Sequence, residues 1–205
     1  MEYLDCECTY FPAMADDDPI MAAYSYAKRD SLHDGFVPIL IRADDETLLE
    51  CLVMNADPDH DVDCYEFDLK TVEEYRRKMI EAPVKDGKAV LEELTGQRKE
   101  EAEDDDMDWK EEVLGEMKDG YENCRFSSYW DSDCHMTYPL ILAKIPVKNP
   151  WELFAYLPFG NWNECPDTPE LMAVAKYWFE QYGAIPATMS HDELEFLLPT
   201  PVPKE

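Results

Sequence analysis

Four short apolar runs constrain the fold of this chain more than any other feature of its sequence. They cover residues 36–41, 139–147, 184–190 and 193–198. Runs of this length, bounded by Gly, Pro and polar residues, are typical of strands with a buried face. The last two flank His191 and Asp192, and this spacing predicts a β-hairpin. Pro38 lies inside the first run and predicts an edge strand or a bulge, because proline cannot donate to a strand ladder.

Helical patterns fill much of the chain between these runs. The clearest helix begins after Thr168 or Asp167 as the N-cap, has Pro169 in its first turn and ends at Gly183. Another follows the first strand, with Asp44 or Asp45 as its cap. A third is predicted to begin at Thr71, which has a glutamate three residues later and so forms a capping-box pattern.

Because strands and helices mix without strict alternation, the predicted fold class is α+β. We expect a mixed, largely antiparallel sheet with helices packed on it, plus an acidic helical peripheral element. That element spans residues 88–119, with Gly96 and the acidic stretch 100–108 as expected interruptions. A length of 205 residues fits a single domain, residues 1–205. Its parts are a strand–helix part at 35–69, an acidic helical segment at 70–124 and a C-terminal part at 138–202.

The net charge of −29 is large and unevenly placed. Residues 1–124 hold 36 acidic and 13 basic side chains, a balance of −23, whereas the remainder carries −6. Such a field repels nucleic-acid phosphates and anionic membranes, since binding to either depends on Lys and Arg. We therefore expect no nucleic-acid or membrane partner, and the charge favours a basic protein partner, multivalent cations or simply solubility.

Composition also indicates a compartment. No apolar run approaches the roughly 18 residues of a transmembrane helix, and the first residues lack the basic start and apolar core of a signal peptide. The seven cysteines, an odd number, fit reduced thiols. We expect a cytoplasmic protein.

Two groups of residues raise the question of a metal. Cys124, Cys134 and His135 could join Cys165 or His191 at a zinc ion, but no C-x-x-C pair occurs. The second group is an acidic ladder. It comprises Asp57, Asp59, Asp61, Asp63 and Asp68. A calcium loop would need Gly where the ladder has Val62, so a solvated loop is the preferred interpretation, and we expect no metal or cofactor.

A Cys–His catalytic site is a further hypothesis. Cys165 could act as a nucleophile with His191 as the base and Glu164 or Asp192 as the orienting acid. The alternative is that Cys165 packs beneath a structural turn that starts the next helix. No phosphate-binding loop, dinucleotide fingerprint, nucleophile elbow or His-Glu-x-x-His motif occurs in the chain, which argues against the common enzyme classes.

The C-terminal part resembles a known family. The matching motifs are "IPV" followed by "PWE", then "PFG-WNECP", a helix with "KYW" and "YGA", and finally "DELEF". This pattern resembles the bacterial family called domain of unknown function 4253, most strongly over residues 138–202. Asn161 stands where a second Gly is expected before the Trp, which predicts a positive backbone φ that Asn tolerates. The resemblance implies a shared fold and loop but no reaction.

The sequence therefore predicts a non-enzymatic acidic interaction module, of the inhibitor or immunity type, that binds a basic partner. The alternative is an unrecognised enzyme, and a second alternative is a structural metal-binding protein. The catalytic residues of such an enzyme stay unknown. The candidate functional loop and its neighbour comprise Gly160, Asn161, Trp162, Asn163, Glu164, Cys165, Pro166 and His191.

Overall fold

A computed structural model describes residues 2–58, 67–115, 123 and 125–202. The strands are β1 (Cys8–Phe11), β2 (Val37–Arg42), β3 (Trp130–Asp131), β4 (Met136–Thr137), β5 (Leu140–Ile145), β6 (Ile185–Met189) and β7 (Leu194–Leu197). Five of them form one sheet in the order β1-β5-β2-β6-β7, and β3 pairs with β4 in a separate hairpin. Within the five-stranded sheet only the β2–β6 pair is parallel, and the other three pairs are antiparallel. This confirms the α+β class and all four predicted strands.

Pro38 lies in the central strand of the sheet, so the prediction of an edge or bulge was wrong. β2 has β5 on one side and β6 on the other, and its first five residues are buried. Pro38 is opposite Lys144 of β5, whereas β6 pairs only with Leu40 and Ile41. The proline therefore occupies a stretch of β2 that β6 does not pair, where the sheet tolerates a missing donor.

The described residues form six α-helices, which pack on the sheet or on one another. They are α1 (Asp18–Asp34), α2 (Glu46–Ala56), α3 (Leu69–Glu81), α4 (Gly87–Asp104), α5 (Leu153–Tyr156) and α6 (Thr168–Tyr182), with a 3-10 turn at Pro150–Glu152 and a π-helical turn at Trp109–Leu114. Asp45 caps α2, and Asp167 caps α6 in a capping box with Glu170. α3 begins earlier than predicted, because the Asp68 carboxylate accepts from the backbone N–H of Lys70 and caps the helix before Thr71. Over these described ranges, none of the helices is both long and apolar enough to cross a membrane.

Helices pack on both faces of the sheet because side chains alternate along each strand. On one face Ile39 and Ile41 join a large core with α2, α3, α5 and α6. On the other face Leu40 packs with Ile20 and Tyr24 of α1. The α2 side of the sheet carries most of the core, and the loop that follows α5 lies at its margin.

The acidic peripheral helix α4 is continuous through Gly96, which was predicted to interrupt it. It ends at the acidic stretch, as predicted, where Asp106 adopts a φ of 56°. Gly87 brings the start of α4 against α6. A Cβ atom there would lie 2.1 Å from the backbone oxygen of Ala173, so only glycine permits this approach.

Glu195 of β7 holds the segment before β3 on the sheet through hydrogen bonds. Its carboxylate accepts from the backbone N–H and the hydroxyl of both Ser127 and Ser128, and from the Thr188 hydroxyl. Burial acts to raise the pKa of Glu195, but the donors on Ser127 and Ser128 outweigh it and lower the pKa below its usual value. The ionised carboxylate is thus part of the fold.

The contrast between Gly87 and Gly96 is testable by substitution. Gly87→Ala should lower the free energy of unfolding by about 1–3 kcal/mol, because its methyl group overpacks the α4–α6 contact. Gly96→Ala is the matched control within α4, where a Cβ meets nothing within 4 Å. It should raise stability by about 0.5–1 kcal/mol. Urea denaturation measures both, and equal effects would contradict the close approach.

Glu195 should make stability depend on pH with a defined sign. Because its pKa is lower in the folded chain, its contribution is present above the unfolded value of about 4.3 and is lost as pH falls through the folded pKa. Glu195→Gln should cost about 2 kcal/mol at neutral pH, through loss of charge-assisted hydrogen bonds. The difference between wild type and variant, from denaturation between neutral pH and pH of about 3, should shrink on acidification. A pH-independent difference would show that the charge is not involved.

Candidate functional site

The loop after α5 has an unusual backbone that a few residues make possible. Gly160, Asn161 and Asn163 adopt φ values of 92°, 56° and 50°. A Cβ at Gly160 would lie 2.4 Å from the Pro166 oxygen, so the close approach requires glycine. The Asn161 N–H donates to that same oxygen over 3.1 Å and closes the loop. The predicted positive φ at Asn161 is confirmed.

Asn55 of α2 holds this loop in place. Its Nδ2 donates to the backbone oxygens of Pro158 at 2.7 Å and Gly160 at 2.9 Å. Its Oδ1 accepts from Asn161 Nδ2 at 3.0 Å. Three hydrogen bonds from one side chain thus tie the loop to a helix more than a hundred residues earlier in the chain. No sequence motif marks Asn55, which is only a polar side chain near the end of an apolar helix.

Asp45 and His191 form a second unit beside the loop. The Asp45 carboxylate, 3% exposed, accepts from the backbone N–H of Leu48 and of His191. His191 Nδ1 lies 3.0 and 3.1 Å from its two oxygens. When the ring is neutral, this geometry assigns its one N–H hydrogen to Nδ1, because a carboxylate oxygen is an acceptor. Nε2 is then the accepting nitrogen, and it lies 3.7 Å from an oxygen of Asp192.

Trp162 brings the loop and the histidine together. Its ring centre lies 6.3 Å from that of His191, with 49° between the planes. Trp162 is 37% exposed and lies on the outer surface of the loop. Asn161, Asn163 and Glu164 are also exposed. The outer surface of the loop is polar and aromatic, with an oriented imidazole at its edge.

Cys165 faces inward, away from that surface. It is half-buried and packs against the large core, while Pro166 and Gly160 enclose it. Burial raises the pKa of its thiol, and the nearby Cys51 raises the pKa further. In the part of the chain that the structure describes, no hydrogen bond joins Cys165 to His191. This environment disfavours a thiolate, whereas a catalytic cysteine needs one.

The metal hypotheses meet little support among the described residues. Cys134 and His135 are exposed, and Cys124 lies outside the described residues. Of the acidic ladder, residues 59–63 also lie outside them, and Asp57 accepts from the Asp68 N–H at 3.2 Å. The described residues contain one group of three potential ligands. It comprises Asp16, Asp17 and Asp18, two of which are ion-paired with Arg125.

Alkylation distinguishes a structural from a catalytic Cys165. Because its pKa is raised, Cys165 should react with iodoacetamide at least about tenfold more slowly near neutral pH than an unshielded thiol does. The exposed Cys134 is the internal comparison, and peptide mapping by mass spectrometry measures each residue separately. Faster modification of Cys165 than of Cys134 would contradict the structural role and favour a nucleophile.

Comparison with known proteins finds a match for the C-terminal segment alone. No curated protein and no solved structure shows a significant match to the chain. The family match covers the loop and the β6–β7 hairpin with His191, but it leaves out α2 and so both Asp45 and Asn55. The resemblance predicted above is confirmed over this segment: residues 141–205 match the family described as Domain of unknown function (DUF4253).

Proposed function

We propose that this protein is a non-enzymatic interaction module, of the inhibitor or immunity type, whose acidic surface binds a basic protein partner. The observation that carries the proposal is the distribution of carboxylates over residues 92–112, called the acidic arm from here on. The arm contains eleven acidic and three basic side chains, and all eleven acidic residues are exposed. A surface of this charge attracts cationic proteins and repels nucleic acids and anionic membranes.

The charge of the arm is largely available to a partner. Two ion pairs involve its carboxylates in the part of the chain that the structure describes: Arg98 with Glu101 at 3.0 Å and Lys88 with Glu92 at 3.8 Å. Both are exposed helical pairs, which contribute little to folding stability. A basic partner could replace these pairs at small cost.

The arm is also held by packing before any partner arrives. Val90 of α4 forms a small core with Ala173 and Val174 of α6. Beyond the end of α4 the chain turns back, and Lys99 Nζ lies 5.2 Å from the centre of the Trp109 ring. A surface that is already ordered loses less conformational entropy on binding, so fewer new contacts are needed for a given affinity.

Glu164 links the arm to the loop described above. The pKa of Arg98 is raised, mainly by its hydrogen bond with Glu101 and further by the charge of Glu164. The loop therefore contributes at least one carboxylate to the field around the arm. We propose that the exposed loop surface with Trp162 borders the same interface, since aromatic side chains are enriched in the centres of protein interfaces.

An enzyme is the second candidate, and the Asp45–His191 unit is the observation that favours it. A carboxylate that orients an imidazole and leaves Nε2 as acceptor is the arrangement of many general bases. Cys165 is not suited as the nucleophile of such a site, for the reasons given above. The enzyme candidate therefore rests on His191 acting on a bound substrate or water.

We also propose the cytoplasm as its location. Five cysteines in the described residues are free thiols. They include Cys6 and Cys8, whose sulfurs lie 3.8 Å apart without a bond between them. Reduced thiols at this distance are typical of a reducing compartment.

Neutralising the arm should abolish partner capture. A variant with Glu92, Glu93, Glu100 and Glu103 each replaced by Gln removes four exposed charges without touching a helix cap. Affinity capture from lysate of the native host should recover a basic protein at about 0.1 M salt and lose it near 1 M, where the Debye length falls to about 3 Å. The variant should lose the same protein at low salt.

The matched control removes four exposed charges elsewhere on the surface. It carries Asp34→Asn, Glu46→Gln, Asp133→Asn and Glu180→Gln. This control should retain the partner, because its net charge equals that of the arm variant while the arm stays intact. Failure to capture any basic protein at low salt, or equal loss with both variants, would contradict the proposal.

A further inference from the structure

Arg76 of α3 is a buried cation that forms no ion pair with any residue that the structure describes. The residue is 5% exposed, and among the described residues no acidic side chain lies within ion-pair distance of its guanidinium. It is held instead by the ring of Tyr156, whose centre lies 3.6 Å from the guanidinium carbon, and by the ring of Tyr3 at 5.0 Å. Aromatic faces offset part of the cost of burying a positive charge. They do not supply a counter-ion.

The hydrogen bonds of Arg76 leave one side of its guanidinium available. Nε donates to the Tyr156 backbone oxygen at 3.2 Å, and Nη2 donates to the Tyr3 backbone oxygen at 2.6 Å. A guanidinium has five N–H donors. Both donors on Nη1 and one on Nη2 therefore lack an acceptor among the described residues. An Nη1–Nη2 pair is the fork that binds a carboxylate through two parallel hydrogen bonds.

A cavity of about 440 Å³ opens beside this guanidinium. This volume falls within the roughly 300–1,000 Å³ of small-molecule sites. Arg76 lines the cavity, and Ile80, Pro146 and Tyr156 give it an apolar wall. A ligand that fits would pair a carboxylate with a compact apolar body.

The other charged residues at the cavity indicate which class of carboxylate ligand it would bind. Asp5, Glu73 and Glu81 line it together with Arg77. Three carboxylates around the entrance repel phosphates and dicarboxylates, and they attract a positive group on the ligand. A single carboxylate combined with an ammonium group satisfies both the buried arginine and these acids.

We infer that this cavity binds a free α-amino acid with an apolar side chain, with the ligand carboxylate on Arg76 and its ammonium group towards the acidic residues of the rim. The site is formed by α3 and α5 together with Asp5 and Pro146, and none of its residues belongs to the acidic arm or the loop. Its failure would leave the proposed partner binding untouched, and the reverse is also true.

The test is an NMR titration of the full chain with leucine. Leucine should bind with a Kd of about 1 mM or tighter and shift amide signals of α3 and α5. Leucinamide lacks the carboxylate and should bind at least about tenfold more weakly, because the Arg76 fork has nothing to hold. N-acetyl-leucine represents the C-terminus of a peptide and should also bind more weakly, since it lacks the ammonium group.

Two variants locate the site. Arg76→Lys should weaken leucine binding at least about tenfold, because an ammonium cannot form the fork. If that variant fails to fold, Ile80→Trp fills the cavity from a side chain that is 39% exposed and leaves the bonds of Arg76 intact. Met54→Trp, at an exposed position of α2 outside the cavity, is the matched control and should bind leucine normally.

Three results would overturn the inference. One is the absence of signal shifts at about 10 mM leucine, which is tenfold above the expected Kd. Another is unchanged leucine binding by Ile80→Trp. The third is N-acetyl-leucine or inorganic phosphate binding as tightly as leucine, which would assign the cavity to a peptide C-terminus or to a simple anion.

Discussion

The structure depends on where a very acidic chain puts its carboxylates. Most of those in the described residues lie at the surface, and several that the fold buries wholly or in part are met by donors. Asp17 accepts from Tyr129 and pairs with Arg125, Asp45 accepts from three N–H groups, and Glu195 accepts from two serines and a threonine. Each of these buried or half-buried carboxylates joins segments that are distant in sequence. These acidic side chains therefore hold distant segments of the fold together through hydrogen bonds and ion pairs.

Local features of the fold could be predicted from the sequence, and long-range ones could not. The four strands, the end of α6 at Gly183 and the positive φ of Asn161 each follow from a few neighbouring residues. The central place of Pro38 depends on which strands pair, and no local pattern shows this. The position of a helix cap, Asp68 in place of Thr71, depended on a competition between two nearby capping residues.

The candidate site shows the same division. Its loop could be identified in the sequence because an unusual backbone needs unusual residues, here Gly160 and two asparagines. The residues of α2 and its N-cap that contact the loop could not be identified in this way. Asp45 and His191, for example, are 146 residues apart, and only the fold makes them adjacent. Cys165 attracted attention as a reactive residue type, whereas its inward orientation is a property of packing. Residue types alone therefore drew attention to a thiol that packing turns towards the core.

The central position of β2 limits what the C-terminal segment can be. Residues 141–205 contribute most of β5 together with β6 and β7, yet β5 and β6 do not touch as neighbours, because β2 from the N-terminal part lies between them. Taken alone, the segment would present two open strand edges that face each other across a missing strand. In this chain the family segment therefore does not form a continuous sheet by itself. A fragment cut from this chain at residues 141–205 would lack the strand that joins its two parts into one sheet.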